Sequence, residues 1–488
     1  MKSSLLFAAS LAAATPAVPL ATGAPPRPNF VILIADDLTY RDLGCYGGQA
    51  HTPAIDRLAA EGLRFERCFQ AAPMCSPTRH CLYTGMYPVK TGAYPNHTFV
   101  SRPNTISIVQ RLGAEGYRVA LSGKRHINPK SVLPFEYLSD PIDFAEVQKF
   151  INSCQSEKKP FCLVVASHHP HAPWTEGDRT RYDPARLKLY PVWADTPATR
   201  DDYRNYLAEV TEFDREVGQC VALLDQAGLT PNTAVMMLSE QGTSQPRAKW
   251  NLYDLGIQSG CVVRWPGVVK PGTVTSAMIE YVDVVPTLLD AVGGKITPDF
   301  DGRSFLGVLR GTTSRHKDYV YSVYTNRGVN NGSDHYGIRA VRSEQYKYIW
   351  NFTPKDPYAN ASLRNATYRS WEQAAAQGHP GAKTAIDRYL NRTEIELYDI
   401  VTDPFELRNL TGDPRLAAVQ ADLRAHLDAW MKQQGDLGQE TEMAALRHMV
   451  KYARGEGNNP GLNDSTGVDP RKAKKKGADT RKGAKKAP

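Results

Sequence analysis

The chain is short of several things. Past its N-terminus it has no apolar run of 18 residues, so no internal stretch is long enough to cross a bilayer as a helix. Its eight cysteines, at 45, 68, 75, 81, 154, 162, 220 and 261, include no Cys-x-x-Cys pair and no Cys/His spacing of the zinc-binding kind. None lies in the first 24 residues, which gives no support to a lipid anchor there. There is no internal repeat. Outside one segment there is also no excess of charge. Residues 471–488 hold nine Lys/Arg and one Asp, the whole of the net +8. Such a tail usually stays solvated, though it could also hold the protein to an anionic polysaccharide or membrane surface. The near-neutral remainder argues against nucleic-acid binding.

What is present is an ordinary globular composition over 488 residues, 41% hydrophobic and 23% charged, enough for one large and one smaller domain. Lys2 followed by the apolar run 5–14 reads as an export signal over residues 1–24, so the protein is expected to be periplasmic or secreted. Residues 28 to about 300 alternate apolar runs with helix-like stretches. The expected fold is therefore α/β, a large mixed or mainly parallel sheet between helices, over residues 25–314. Strands at 319–324, 337–341 and 346–351 and a helix at 416–433 suggest a smaller α+β domain over 315–440. Residues 441–488 read as a basic, disordered tail.

Four apolar runs organise the functional reading: 30–35 (FVILIA), 117–121 (YRVAL), 161–166 (FCLVVA) and 234–238 (AVMML). Each is followed at once by chemistry-bearing residues. Asp36 and Asp37 follow the first, and Lys124 and His126 the second. His168, His169 and His171 follow the third, and Glu240 and Gln241 the fourth. Open α/β sheets bind ligands at the carboxyl ends of their strands, so four such ends point to one shared site. Asp36, Asp37, Glu240 and Gln241 offer oxygen ligands, which suit a hard cation rather than zinc. Taken alone, Asp36-Asp37 reads equally well as a solvated turn. Pro77 fits the first turn of a helix, which puts Cys75 beside a helix N-terminus, where anions are favoured. By itself this cysteine could equally be a buried thiol or half of a disulfide with Cys81.

The segment Cys75-Ser76-Pro77-Thr78-Arg79, with Leu82-Tyr83-Thr84-Gly85 downstream, resembles the sequence hallmark of the formylglycine-dependent sulfatases, of alkaline-phosphatase-like fold. NFVILIADDL, GKRH, HPHAPW, SEQG with AKWNLYDLG, and ELYDIVTDPFELRNL resemble the other family segments, in order, over residues 28–440. GKRHINPKSVLPFEY, DTPATRDDYRNYLAEVTEFDREVG and HYGIRAVR look like the N-sulfoglucosamine sulfohydrolase branch.

The resemblance implies that a formylglycine-generating or anaerobic maturation enzyme oxidises Cys75 to formylglycine. It implies a Ca2+ ion, with Mg2+ less favoured, on Asp36, Asp37, Glu240, Gln241 and the modified Cys75. Glu240-Gln241 stands where the family usually has Asp-Asn, one methylene shorter at each position. Arg79, Lys124 and Lys249 would offset developing charge on the sulfuryl group; Arg247 is a near-neighbour rival to Lys249. His171 would protonate the leaving group, and His126 would help break down a covalent sulfate intermediate. Outer substrate contacts are sought at Asn96, His97, Asp334, His335 and Arg339. The implied activity is release of sulfate from a sulfated carbohydrate. A phosphomonoesterase or phosphodiesterase of the same fold, or a non-catalytic sulfated-glycan-binding protein, remains open, as does the oligomeric state.

Overall fold

The computed structural model describes residues 27–453. The expected export signal (1–24) and the basic run 471–488 lie outside the described residues. Twelve strands form two sheets: β1 (Asn29–Ile34), β2 (Leu63–Phe69), β3 (Arg118–Gly123), β4 (Glu136–Tyr137), β5 (Phe161–Ala166), β6 (Thr233–Leu238), β7 (Gln258–Arg264) and β8 (Thr273–Glu280) in the first, and β9 (Val320–Tyr324), β10 (Ile338–Arg342), β11 (Tyr346–Asn351) and β12 (Ile395–Asp399) in the second.

The first sheet runs β4-β3-β5-β1-β6-β7-β2-β8. Its centre, β3-β5-β1-β6, is parallel throughout, and β7 alone runs antiparallel to both of its neighbours. These central strands are the four apolar runs. β1, β5 and β6 are buried at every position, as strands covered on both faces must be. Alternation decides what each face packs against. Val31 and Leu33 join the cluster containing Tyr206, Val210 and Phe213 of the helix Pro197–Gln226, while Phe30, Ile32 and Ile34 join Leu82, Val285 and Leu288 on the other side.

The second sheet, β12-β11-β10-β9, is antiparallel throughout. The helix Ala417–Gln434 packs Leu423, Leu427 and Trp430 against Val323, Val341 and Leu397 of this sheet. Strand β12 was not anticipated, because ELYD is polar at alternate positions and lies on the sheet edge.

One expectation is corrected here. The chain does not turn into a disordered tail at 441. Helical turns continue at Gln439–Ala444, Ala445–His448 and Val450–Ala453. Glu442 is the reason: it is fully buried, and its Oε1 accepts from the backbone N–H groups of Asn326 and Arg327, both at 2.8 Å. Its charge resembles that of a solvated helix in composition but serves as an internal acceptor.

Candidate active site

Because β3, β5, β1 and β6 are adjacent and parallel, their carboxyl ends open on one edge. Asp36 and Asp37 leave β1, Lys124 and His126 leave β3, His171 follows β5, and Glu240 and Gln241 leave β6. The turns are tight. Asp37, His126 and Glu240 all adopt positive φ (64°, 48° and 59°), a conformation that non-glycine residues hold only when surrounding structure enforces it. Glu240 is fixed from both sides of its backbone: its N–H donates to Tyr281 Oη at 2.9 Å and its carbonyl accepts from Ser259 Oγ at 2.6 Å. Gly123, at φ +86°, must be glycine, since a Cβ there would fall 2.0 Å from the carbonyl oxygen of Ala166.

Cys75 is the first residue of the helix Cys75–Thr84, every residue of which is buried. His80 anchors this helix, its ring nitrogens meeting the carbonyl oxygens of Ser76 at 2.7 Å and Asn128 at 2.9 Å. The Cys75 sulfur therefore stands at a rigid, positively polarised helix end. Gln241 Nε2 donates to it at 3.0 Å and Lys249 Nζ at 3.3 Å. Burial raises the pKa of the thiol further than Lys124 and Lys249 can lower it, so it stays protonated and is a poor nucleophile as it stands. Cys81 is also a free thiol, and no Cys75–Cys81 disulfide exists.

Ligand atoms of Asp36, Asp37, Cys75 and Glu240 all lie within 4.8 Å of one another. Asp36 pairs with Lys124 by a short contact and with Arg79 at 3.8 Å. Burial alone would raise the Asp36 carboxyl, but Lys124, then His171 and Arg79, hold it well below the usual carboxylate range. Asp37 meets Lys249 Nζ at 2.7 Å. Glu240 Oε1 faces Arg79 Nε at 2.8 Å, yet burial, aided by repulsion from Asp36, pushes its pKa up to about 8.

Asp36 Oδ1 and Gln241 Oε1 are buried and accept no hydrogen bond among the described residues, and Glu240 Oε1 meets only the Arg79 guanidinium at 2.8 Å. Oxygen atoms left this way in a dry site are costly, and together with Asp37 they form the all-oxygen donor set that a hard divalent cation takes. Three carboxylates face three cations (Arg79, Lys124 and Lys249), so a bound divalent ion would leave the site positive and matched to an anionic group. The residues present fit such an ion.

His171 Nδ1 meets the carbonyl oxygen of Ala172 at 2.7 Å and therefore carries a proton, leaving Nε2 aimed at Asp37 Oδ2, 3.6 Å away. Burial lowers its pKa to about 4 against the pull of Asp37 and Asp36. His126 is held neutral by burial and by His97, whose Nδ1 lies 2.9 Å from His126 Nε2. His126 Nδ1 is buried without a hydrogen-bond partner among the described residues.

The structure thus brings together Asp36, Asp37, Cys75, Arg79, Lys124, His126, His171, Glu240, Gln241 and Lys249, with His97 behind His126. It does not bring in the rest. Arg339 is fully buried, with its guanidinium bound to Asp436 and stacked 5.0 Å from the Phe352 ring; it braces the second sheet and is not a substrate contact. His335 pairs with Asp356, and the Asp334 carbonyl accepts from Arg327. Arg247 donates to the Glu406 carbonyl at 2.9 Å and stacks 3.6 Å from Tyr253, which leaves the site to Lys249. His168 and His169 pair with Asp140 and Glu209. Tyr281, Ser259 and His80 support the site and were not anticipated, because a buried hydroxyl or ring that bonds backbone has no local sequence mark.

A family model described as sulfatase matches residues 28–136 and 128–294, and one described as N-sulphoglucosamine sulphohydrolase, C-terminal, matches 247–366. The chain is 32% identical over 422 residues to an ulvan-active sulfatase of Formosa agariphila, covering 84% of this chain and 81% of that one. It is 27% identical over 470 residues to human N-sulphoglucosamine sulphohydrolase, covering 82% and 89%. Among solved structures it resembles yidJ of Bacteroides fragilis, with TM-score 0.69, 21% identity and coverage of 86% and 99%. It also resembles BT4656 in complex with its substrate D-glucosamine-2-N,6-O-disulfate, with TM-score 0.62, 18% identity and coverage of 85% and 99%.

Proposed function

Because the chain belongs to the sulfatase family and is a sulfatase, we propose that it releases sulfate from a sulfated carbohydrate, as ester or sulfamate, at a formylglycine derived from Cys75 and beside a bound Ca2+ ion. The observation that carries this reading is the setting of Cys75. Its sulfur sits at a helix N-terminus between Gln241 and Lys249 and within the carboxylate cluster, yet as a thiol it is not activated.

Asp36, Asp37, Glu240 and Gln241 would hold the cation, which when bound acts as a Lewis acid and polarises oxygen. Oxidation of Cys75 by a separate maturation enzyme supplies an aldehyde whose hydrate offers a hydroxyl nucleophile. The chain's other residues do the positioning. Lys249, 3.3 Å from the sulfur, and Lys124, paired with Asp36, place positive charge where the sulfuryl oxygens would gather negative charge. Arg79, locked between Glu240 and Asp36, keeps the carboxylates oriented. A sulfate group brought against His171 favours its protonated form, and Nε2 then has a proton to give to the departing oxygen or nitrogen. His126, neutral and with a bare ring nitrogen, is placed to accept a proton in the second half of the reaction.

The relatives' names support a glycan substrate, and the match to the N-sulphoglucosamine sulphohydrolase C-terminal region supports including N-sulfated sugars. Lys2 and the apolar run 5–14 support export, where such polysaccharides are met. The test is sulfate release from N-sulfoglucosamine, from glucosamine 6-O-sulfate and from an aryl sulfate, with an aryl phosphate alongside. Protein co-produced with a maturation enzyme should cleave sulfated compounds far faster than the phosphate. Preference for phosphate would replace this reading with a phosphatase.

A further inference from the structure

Residues 445–453 return to pack against the loop that carries His97. Met449 forms an antiparallel bridge with Thr98. Val450 N–H donates to the His97 carbonyl at 3.0 Å, and Thr98 Oγ1 donates to the His448 carbonyl at 2.8 Å. His448 Nδ1 meets Ser101 Oγ at 3.1 Å, and its ring lies 4.9 Å from that of Tyr94. The fit is close: a Cβ on Gly92, at φ +78°, would fall 2.9 Å from His448 Nδ1. One turn earlier, Tyr94 Oη donates to the Thr441 carbonyl at 2.9 Å. This strap grips the backbone of His97, whose ring touches His126 of the site.

Lys451 follows Val450 directly and is exposed. Its Nζ lies 4.5 Å from the Tyr452 ring centroid, and Tyr452 is 42% exposed. The cations inside the site are each committed to a carboxylate, whereas Lys451 has no carboxylate partner among the described residues. Lys451 is one residue from Val450, whose backbone holds the His97 carbonyl. A cation with no carboxylate partner among the described residues, beside an exposed aromatic ring and next to the strap that holds His97, has the composition of a sugar-anion contact.

We propose that Lys451, flanked by Tyr452, binds a second anionic group of the substrate, a carboxylate or a further sulfate, on or next to the sugar that bears the scissile sulfate. The proposal rests on the sulfated-carbohydrate reading above and adds a preference for substrates with two anions over one. The strap makes this segment part of the fold.

The test compares kcat/KM of the full chain, wild type and variants, for three compounds: N-sulfoglucosamine, D-glucosamine-2-N,6-O-disulfate, and N-sulfoglucosamine linked to a uronic acid. Lys451→Ala should lower the ratio of doubly to singly anionic substrate by about threefold to fivefold. Lys451→Glu should lower it by about tenfold or more, through repulsion. Lys451→Arg should restore it. Loss in the disulfate arm identifies a sulfate contact, and loss in the uronate arm a carboxylate contact. An unchanged ratio in both arms for Ala and Glu overturns the proposal. If wild type cleaves none of the three, the hydrolase reading fails separately, and binding of the same compounds to the Cys75→Ala protein then reads the same ratio and decides the Lys451 contact.

Discussion

Arg79 Nε stands 2.8 Å from Glu240 Oε1, with both side chains wholly enclosed. Arg79 also faces Asp36 at 3.8 Å, so removing it leaves the Asp36 charge and the Glu240 carboxyl enclosed without their cation. Arg79→Ala should therefore lower stability by about 3–5 kcal/mol as well as abolish turnover. Urea unfolding of the variant against wild type measures the first effect, and sulfate release the second. A loss of activity with unchanged stability would mean that Arg79 is not what holds the buried carboxyl groups in place.

The Cys75 side chain has the opposite profile. It is small, and it receives hydrogen bonds that Gln241 and Lys249 can direct to Asp37 instead. Cys75→Ala should cost about 1–2 kcal/mol or less, while turnover disappears. The mass of the peptide containing residue 75, from protein co-produced with a maturation enzyme, should show loss of the thiol. Full activity in Cys75→Ala would sink the nucleophile assignment.

Cation binding should be visible without any substrate. Adding a calcium chelator should lower the thermal midpoint, and excess Ca2+ should restore it. The contribution is about 2.7 kcal/mol at a hundredfold excess over Kd. Asp37→Ala should remove the response to both additions. A midpoint that ignores chelator and calcium alike would argue that the carboxylate cluster is satisfied by Lys124, Lys249 and Arg79 alone.

Asp42 makes a pH-dependent contribution away from the site. Burial raises its pKa from 3.8 to about 6, against hydrogen bonds from Tyr203 and Tyr190. The folded value lies above the unfolded one, so its contribution is fully present below about pH 4 and is lost as pH rises through about 6. The loss is at most about 3 kcal/mol. Urea midpoints across this range should fall more steeply for wild type than for Asp42→Asn. Parallel curves would show that Asp42 is ionised throughout.

Much of this site was legible in the sequence because it is built at strand ends, and buried parallel strands announce themselves as apolar runs. Asp36, Lys124, His171 and Glu240 could each be found by reading the residues just past a run. Their adjacency came from the strand order β3-β5-β1-β6, which local pattern does not encode. What misled the reading was charge placed inside. Arg339 was sought as a substrate contact, but it is buried against Asp436, 97 residues away. Glu442 made a polar segment look solvated, although its side chain is buried against the backbone N–H groups of residues 326 and 327. The His97–His126 contact joins two loops held by positive φ, and neither loop carries a period to detect.

The enclosure of Cys75 also sets an order of events. Only 3% of the residue is exposed, and the side chains that cover its sulfur, Gln241 and Lys249, lie 166 and 174 residues later in the chain. During synthesis the thiol is open for as long as those residues have not yet arrived. On the proposed formylglycine reading, an enzyme that oxidises it would have to act in that interval or on a chain kept unfolded. A chain that folds first would seal Cys75 away as a thiol, so on that reading the yield of active protein would be set by a race between modification and folding.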